Sequence, residues 1–423
     1  MSEKRDIAGL WWLPTNPDER WAGTLTLEQN KSPKLTIAVQ KSAFEAFGQK
    51  LSAPPVIHGC DQNGSPISLI IPGWPRTRGG MALSQVEYSA HYAILNLEVS
   101  HQDDFKVNEF TLRMQHLQGW FGVTGFLRPE LNSPEVDLCI RYKNPKDEAF
   151  PIGKDLSVEF RPGYTLHNGF NERKLQENIN VTFVSKDGMN LSQCKEFLND
   201  FRLLLHFATL REIYPLEIKA RKEGHGSTHE GEFIYQDIEI WNSIIKEEVS
   251  ADWHPNEWIF KFADVRQKFS DFFSSWIKLT ADHEEALSCY CATVYHKLST
   301  TIEHLCLTQA LEAYHGVKFA SRKQQNFCGK IQALTEAHKE HLKGLVDNAV
   351  EFAEIVRDNR HYYTHHNPED LKAGRIVSGA KLIRLNEKLE LIFQMCVLTE
   401  MGIPAERFSR LRRQLAFDII EFV

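Results

Sequence analysis

Across residues 1–185 apolar and polar side chains alternate along short runs. Trp21-Ala22-Gly23-Thr24-Leu25-Thr26-Leu27 and Lys34-Leu35-Thr36-Ile37-Ala38-Val39 repeat at close to every second position, the period of a strand with one buried face. Further strands are expected at Ser68 to Ile71, Tyr92 to Val99, Phe110 to Met114 and Val181 to Val184. Turn-forming clusters punctuate them, as in Asp61-Gln62-Asn63-Gly64-Ser65-Pro66 and Pro72-Gly73-Trp74-Pro75. Many short strands with regular turns imply an antiparallel sandwich or distorted barrel.

The period changes near residue 190. From Leu191 to Leu210 the apolar positions Phe197, Leu198, Phe201, Leu204, Leu205 and Ala208 follow helical spacing. Strand-like pieces follow at Leu216 to Ala220 and Glu232 to Ile240, with the polar stretch Glu223 to Gly231 expected as a mobile loop between them. Residues 186–280 therefore read as a mixed connecting region. From about Asp282 onward the pattern is helical. Leu287, Tyr290, Val294, Leu298, Ile302, Leu305 and Leu311 form a nearly continuous stripe, predicting one long helix over Ala286 to Tyr314, with acids at its start and Gly316 past its end. Three more helices are expected at Arg322 to Ala337, Val346 to about His365 and Lys381 to Met401, with a short basic cap from Pro404. Short connections between long amphipathic helices imply an antiparallel bundle over residues 281–423. The fold class is α+β.

Composition narrows the function. The chain has 423 residues, 42% hydrophobic and 25% charged, which excludes a disordered or collagen-like polypeptide. A net charge of −7 argues against indiscriminate nucleic-acid binding over the whole surface but permits a local basic site. No uncharged apolar run approaches the ~20 residues that span a bilayer, and no secretory signal opens the chain. Eight cysteines without CxxC pairs suit a reducing cytoplasm, where thiols serve as small core residues.

Phosphate-loop, nucleophile-elbow, HExxH and dinucleotide motifs are absent. One constellation remains, Arg357-Asp358-Asn359-Arg360-His361-Tyr362-Tyr363-Thr364-His365-His366-Asn367-Pro368. At ~100° per residue, Arg357, His361 and His365 share one helix face, whereas Arg360 and His365 lie about 140° apart. For those two to converge, the helix must loosen before Pro368, the arginine must wrap back, or a second copy must supply the missing partner across a two-fold interface. The His361/His365 spacing also suits a metal, although no nearby carboxylate or Cys completes a ligand set. Imidazole exchanges protons near neutral pH, and guanidinium presents a permanent charged fork to phosphate oxygens. Together they suit phosphodiester cleavage by a ribose 2′-OH, without metal or other cofactor. Tyr362 and Tyr363 are candidates for base stacking, or for bundle core.

Arg360-His361-Tyr362-Tyr363-Thr364-His365 resembles the Arg–polar–x–x–x–His signature of HEPN domains, helical bundles that include many metal-independent ribonucleases. Leu307-Thr308-Gln309-Ala310-Leu311-Glu312-Ala313-Tyr314-His315 is similar to the first long helix of the ApeA-type branch. Gly9-Leu10-Trp11-Trp12-Leu13-Pro14, followed by Trp21-Ala22-Gly23-Thr24-Leu25, is similar to the opening of the ApeA N-terminal domain. The resemblance implies three segments: an N-terminal sensing or regulatory domain (1–185), the connecting region (186–280) and a HEPN bundle (281–423). It implies catalysis by Arg360 and His365, with His361 in the intervening polar slot. It further implies a homodimer or higher oligomer whose two motifs line one cleft, and a cytoplasmic role in anti-phage defence by abortive infection, with a phage-encoded trigger. Glu303 and Glu312, on the first long helix, are candidates to orient a basic group in that cleft.

Over residues 371–415 nine basic side chains (Lys372, Arg375, Lys381, Arg384, Lys388, Arg407, Arg410, Arg412, Arg413) face four acidic ones. Such a patch suits RNA phosphates, with Arg357, Lys381 and Arg384 as candidate contacts, or is simply a solvated helix face. The rival to an RNA endonuclease is a non-catalytic, dimerising module that recognises a phage or host partner. A metal hydrolase is a third reading.

Overall fold

The computed structural model describes residues 4–40, 55–71, 75–79, 83–127, 141–169, 173–229, 231–246, 258–319, 325–366, 374–409 and 411. The chain forms two compact units, one of Met1–Leu203 with Ile213–Asp252, the other of Leu204–Glu212 with Trp253–Val423.

The first unit is β-rich. Its early strands are β1 (Lys4–Leu13), β2 (Asn16–Glu28), β3 (Lys34–Gln40), β4 (Val56–Asp61), β5 (Pro66–Ile70), β6 (Arg76–Gly79), β7 (Leu83–Ser89), β8 (Tyr92–Leu95) and β9 (Val107–Met114). After the short helix α1 (Leu117–Phe121) come β10 (Phe126–Leu127), β11 (Arg141–Tyr142), β12 (Glu148–Ile152), β13 (Leu156–Asn168) and β14 (Arg173–Met189). Helix α2 (Leu191–Thr209) precedes β15 (Pro215–Arg221), β16 (Gly226–His229), β17 (Glu232–Tyr235) and β18 (Ile238–Trp241). Fourteen strands make one sheet in the order β12-β13-β14-β9-β15-β18-β8-β5-β4-β1-β2-β3-β7-β6, and among the described residues its neighbouring strands pair antiparallel. Alternation along β2 and β3 buries Leu25, Leu27, Leu35 and Ile37 around Trp11. Gly59 makes room for that indole, because a Cβ there would come within 2.3 Å of the Trp11 ring. A second core gathers Trp120, Phe160 and Phe183 against Phe201 of α2, with ring centroids 6.1 to 6.2 Å from Phe201.

The second unit is helical: α3 (Phe262–Val265), α4 (Phe269–Asp282), α5 (Glu284–Tyr295), α6 (Thr300–Lys318), α7 (Phe327–Ala337), α8 (Lys339–Leu342), α9 (Ala349–His365) and α10 (Ala380–Glu400). α10 is buried at every position from Leu391 to Leu398, where Gln394 is the one residue with a polar amide in an otherwise apolar run. Tyr290 stacks between Phe207 and Phe393, with centroids at 5.6 and 4.8 Å, and its hydroxyl lies 3.0 Å from His206 Nε2.

Several sequence expectations change. The helix expected over Ala286 to Tyr314 is two, α5 and α6, because the backbone turns extended at His296 and again at Ser299, the N-cap of α6. The Ser299-Thr300-Thr301 run favours such a boundary, since short hydroxyl and β-branched residues are weak helix-interior formers. α6 also runs through Gly316 to Lys318. Helical structure begins at Phe262 rather than Asp282. The loop expected over Glu223 to Gly231 contains β16, paired with β17 in a hairpin. Gly226 permits this, because a Cβ there would lie 2.1 Å from the Ile234 carbonyl oxygen. Residues 186–280 do not form a body of their own: β15 and β18 join the large sheet, and α3 and α4 belong to the helical unit. The turn residues Pro72, Gly73 and Trp74 and most of the basic cap from Pro404 lie outside the described residues.

Candidate functional site

The site is built on α9. Asn348 caps its start, its Oδ1 accepting from Val350 N and Glu351 N at 3.1 and 3.2 Å, and Glu351 adds a favourable charge in the first turn. Phe352, Ala353, Val356 and Asn359 form the buried stripe. The helix stays regular through His365 and closes on His366 in the left-handed region (φ 53°), whose N–H donates to the Tyr362 carbonyl at 2.6 Å. Loosening before Pro368 is therefore not what this chain does up to His366; Asn367 and Pro368 lie outside the described residues.

Arg360 and His365 stay apart, as helical geometry requires. Arg360 Nη1 pairs with Glu312 Oε2 of α6 at 2.9 Å, and its guanidinium carbon sits 4.4 Å from the Phe327 ring centroid. Lys330 holds the other Glu312 oxygen at 2.8 Å. Burial acts to raise the Glu312 carboxyl pKa, but Lys330 and Arg360 outweigh it and hold the group below the usual carboxylate range. The Arg360 side chain remains 31% exposed, so the fixed fork is still open to a ligand oxygen. Of the two acids singled out on the first long helix, Glu312 orients a basic group. Glu303 instead accepts from Asn386 Nδ2 at 3.2 Å.

His361 and His365 come together on the exposed face, ring centroids 4.8 Å apart. Tyr362 packs edge-on to Tyr363 and His366 at 5.2 and 5.6 Å. The Tyr363 hydroxyl donates to the Val377 carbonyl at 2.5 Å. Beside it, the fully buried Asn359 donates to the Ile355 and Arg375 carbonyls at 2.8 and 3.0 Å and accepts from Val377 N at 2.8 Å. The segment 375–377 is thus strapped to α9 immediately next to Arg360. Nearby, burial lowers the pKa of His304 below the ordinary imidazole value against its hydrogen bond to Asn386, and the Arg360 charge adds to the lowering.

The expected basic patch is thinner than its sequence count. Arg357 pairs with Asp358 (Nη2–Oδ1 2.6 Å), Arg375 with Glu354 at 2.8 Å and Arg407 with Asp264 at 2.9 Å. Lys381 and Arg384 are exposed on α10, with no ion pair among the described residues. Lys372, Arg410, Arg412 and Arg413 lie outside the described residues. Among the described residues, no group of three or more His, Cys, Asp and Glu stands ready to hold a metal ion, and no helix is long and apolar enough to cross a membrane.

Sequence reasoning identified Arg360, His361, His365 and Glu312 but missed Lys330, Phe327 and Asn359. Asn359 carried a readable signal, since it falls on the apolar stripe four residues after Ile355 and three after Val356. Lys330 and Phe327 carried none, because they reach the site from another helix.

Family comparison agrees with this architecture. The ApeA N-terminal domain 1 family matches residues 6–276, and the Apea-like HEPN family matches residues 296–407, which contain α6 through α10. The chain belongs to the ApeA N-terminal domain 1 family and carries an Apea-like HEPN domain. Neither curated proteins nor solved structures gave a match.

Proposed function

We propose that this chain is a metal-independent RNA endonuclease of anti-phage, abortive-infection defence, acting in the cytoplasm as a homodimer or higher oligomer. The observation that carries this reading is the end of α9, where an exposed imidazole pair stands one and five residues after a guanidinium already fixed by Glu312. His365 takes the proton of a ribose 2′-OH, and O2′ forms a bond to the adjacent phosphorus. The P–O5′ bond breaks, and an imidazolium, with His361 the nearest candidate, protonates the departing O5′. Arg360 stabilises the charge gathered on phosphorus. The products are a 2′,3′-cyclic phosphate and a 5′-hydroxyl, and DNA is not a substrate.

Because Arg360 is engaged by Glu312 while His365 packs against His361, the reading calls on a second copy to bring the complementary group. Arg357, Lys381 and Arg384 are proposed to steady flanking RNA phosphates. The N-terminal domain is proposed to receive a phage-encoded trigger. The test is sequencing of RNA ends after induction of the wild-type chain and of Arg360→Ala. Cyclic-phosphate ends confined to the wild type support the reading; 3′-hydroxyl ends, or equal ends in both, remove it.

The Arg360–Glu312 pair also favours a second reading, in which the arginine is structural and the bundle is a dimerising recognition module. That reading predicts no cleavage in any triggered state and tolerance of substitution at His365.

A further inference from the structure

The polar face of the large sheet carries two adjoining cavities of about 200 and 220 Å³ that share Arg113. Joined, they reach the range of about 300–1,000 Å³ typical of ligand sites. Thr182, Asn180, Asn178 and Gln176 line them from alternate positions of β14, so they share one face at a repeat of about 6.6 Å. An extended peptide has the same two-residue repeat. Carboxamides offer both a donor and an acceptor, and so suit peptide groups. Gly163 keeps the trough open beside Asn178, since a Cβ there would lie 2.8 Å from Asn178 Oδ1.

Charge singles out Arg113. Arg161 is held by Glu109 and Glu159 at 2.7 and 2.9 Å, Arg221 by Asp237 at 2.6 Å, and Lys219 by Glu217 at 2.8 Å. Among the described residues Arg113 pairs only with that same Glu217, at 3.9 Å, and its Nε is shut off from water and has no hydrogen bond to them. Gln118, which lines the second cavity, is fixed by Nε2 donating to the Val123 carbonyl at 3.2 Å, while its Oε1 is likewise buried and without a hydrogen-bond partner among the described residues. An orphan donor and an orphan acceptor beside one cavity are a cost that a bound group carrying both would relieve after a small side-chain shift. No Phe, Tyr or Trp ring lines either cavity, and His167 is the one imidazole among the lining residues, which leaves little of the stacking surface that single-stranded nucleic acid uses.

We propose that this trough binds an extended, carboxylate-bearing peptide segment of another protein, its carboxylate on Arg113 and its main-chain amides along the β14 row. The site lies wholly on the sheet unit and stands whether or not α9 is catalytic. Binding of the full-length chain to an array of fluorescent octapeptides, and separately to an oligouridylate, tests it. The expected result is enrichment of peptides carrying Asp or Glu, and binding weakened about tenfold in Arg113→Gln. Glu217→Gln, which removes the competing carboxylate, is expected to bind the same peptides more tightly than wild type. Absence of acidic enrichment, weakening by both substitutions alike, or tighter capture of the oligouridylate than of any peptide would overturn the proposal.

Discussion

The two sides of α9 treat their polar groups in opposite ways. On one side Asn359, Arg360 and Tyr363 are each committed to a neighbouring segment: the strap at 375–377, the Glu312 carboxylate and the Val377 carbonyl. On the other, His361 and His365 contact each other and face solvent. In the proposed reaction the fixed side sets where a phosphate-binding charge stands, and the open side leaves imidazoles accessible to substrate and to a second copy. On that proposal a single helix separates positioning from proton transfer, and each can be disturbed without the other.

The largest expected effect falls on activity. Arg360→Ala and His365→Ala should each lower RNA cleavage by about a thousandfold, the scale of losing a charge stabiliser or a general base. Arg360→Ala should shift unfolding by no more than about 1 kcal/mol, as a part-exposed ion pair allows. Denaturant melts beside cleavage assays check both. Next, Asn359→Ala should destabilise the fold by about 2–3 kcal/mol, because it strands the Arg375 carbonyl and the Val377 N–H beneath a buried side chain. Wild-type stability in that variant would mean the strap is not held as described.

A pH experiment sharpens the contrast between the α9 surface and the bundle interior. Burial pushes the Glu390 carboxyl up to about 7, with the Glu303 charge adding to it. Between the ordinary carboxylate value and 7 the folded chain holds a proton that the unfolded chain lacks, so this group's contribution to stability falls as pH rises through that window. Glu390→Gln should therefore stabilise the fold above pH 7, on the order of 1–3 kcal/mol, and leave it unchanged near pH 4. Thermal melts across pH read this directly, and an effect of equal size at both ends contradicts it. The smallest effect is expected from Glu312→Gln, which frees both Lys330 and Arg360. Cleavage should fall about tenfold through misplacement of the guanidinium, with stability down by no more than about 1 kcal/mol.

How far the sequence anticipated these features follows from the range of the interactions. β2 and β3 were legible because Leu25, Leu27, Leu35 and Ile37 alternate against one buried face. α9 was legible because the apolar residues Phe352, Ala353 and Val356 repeat at helical spacing. The β13–β14 hairpin was largely hidden. Its outer positions, such as Thr165, Gln176, Asn178 and Asn180, are polar, and a run without an apolar alternate resembles a loop until its partner strand is known. β16 was hidden for the same reason, since Gly226-Ser227-Thr228-His229 becomes a strand only by pairing with β17. In the site, the three motif residues are local in sequence and were visible. The contacts that orient Arg360 join residues far apart in the chain, and the turn of its guanidinium toward Glu312 is a property of packing.

The central claim is that the arginine and the histidine serving one phosphate come from different chains. Co-expressing Arg360→Ala with His365→Ala, each inactive alone, tests it most directly. A shared cleft predicts that mixed oligomers regain a substantial fraction of wild-type RNA cleavage, because one of their two sites then holds both an intact Arg360 and an intact His365. Mixed oligomers that form yet stay as inactive as either parent would contradict it.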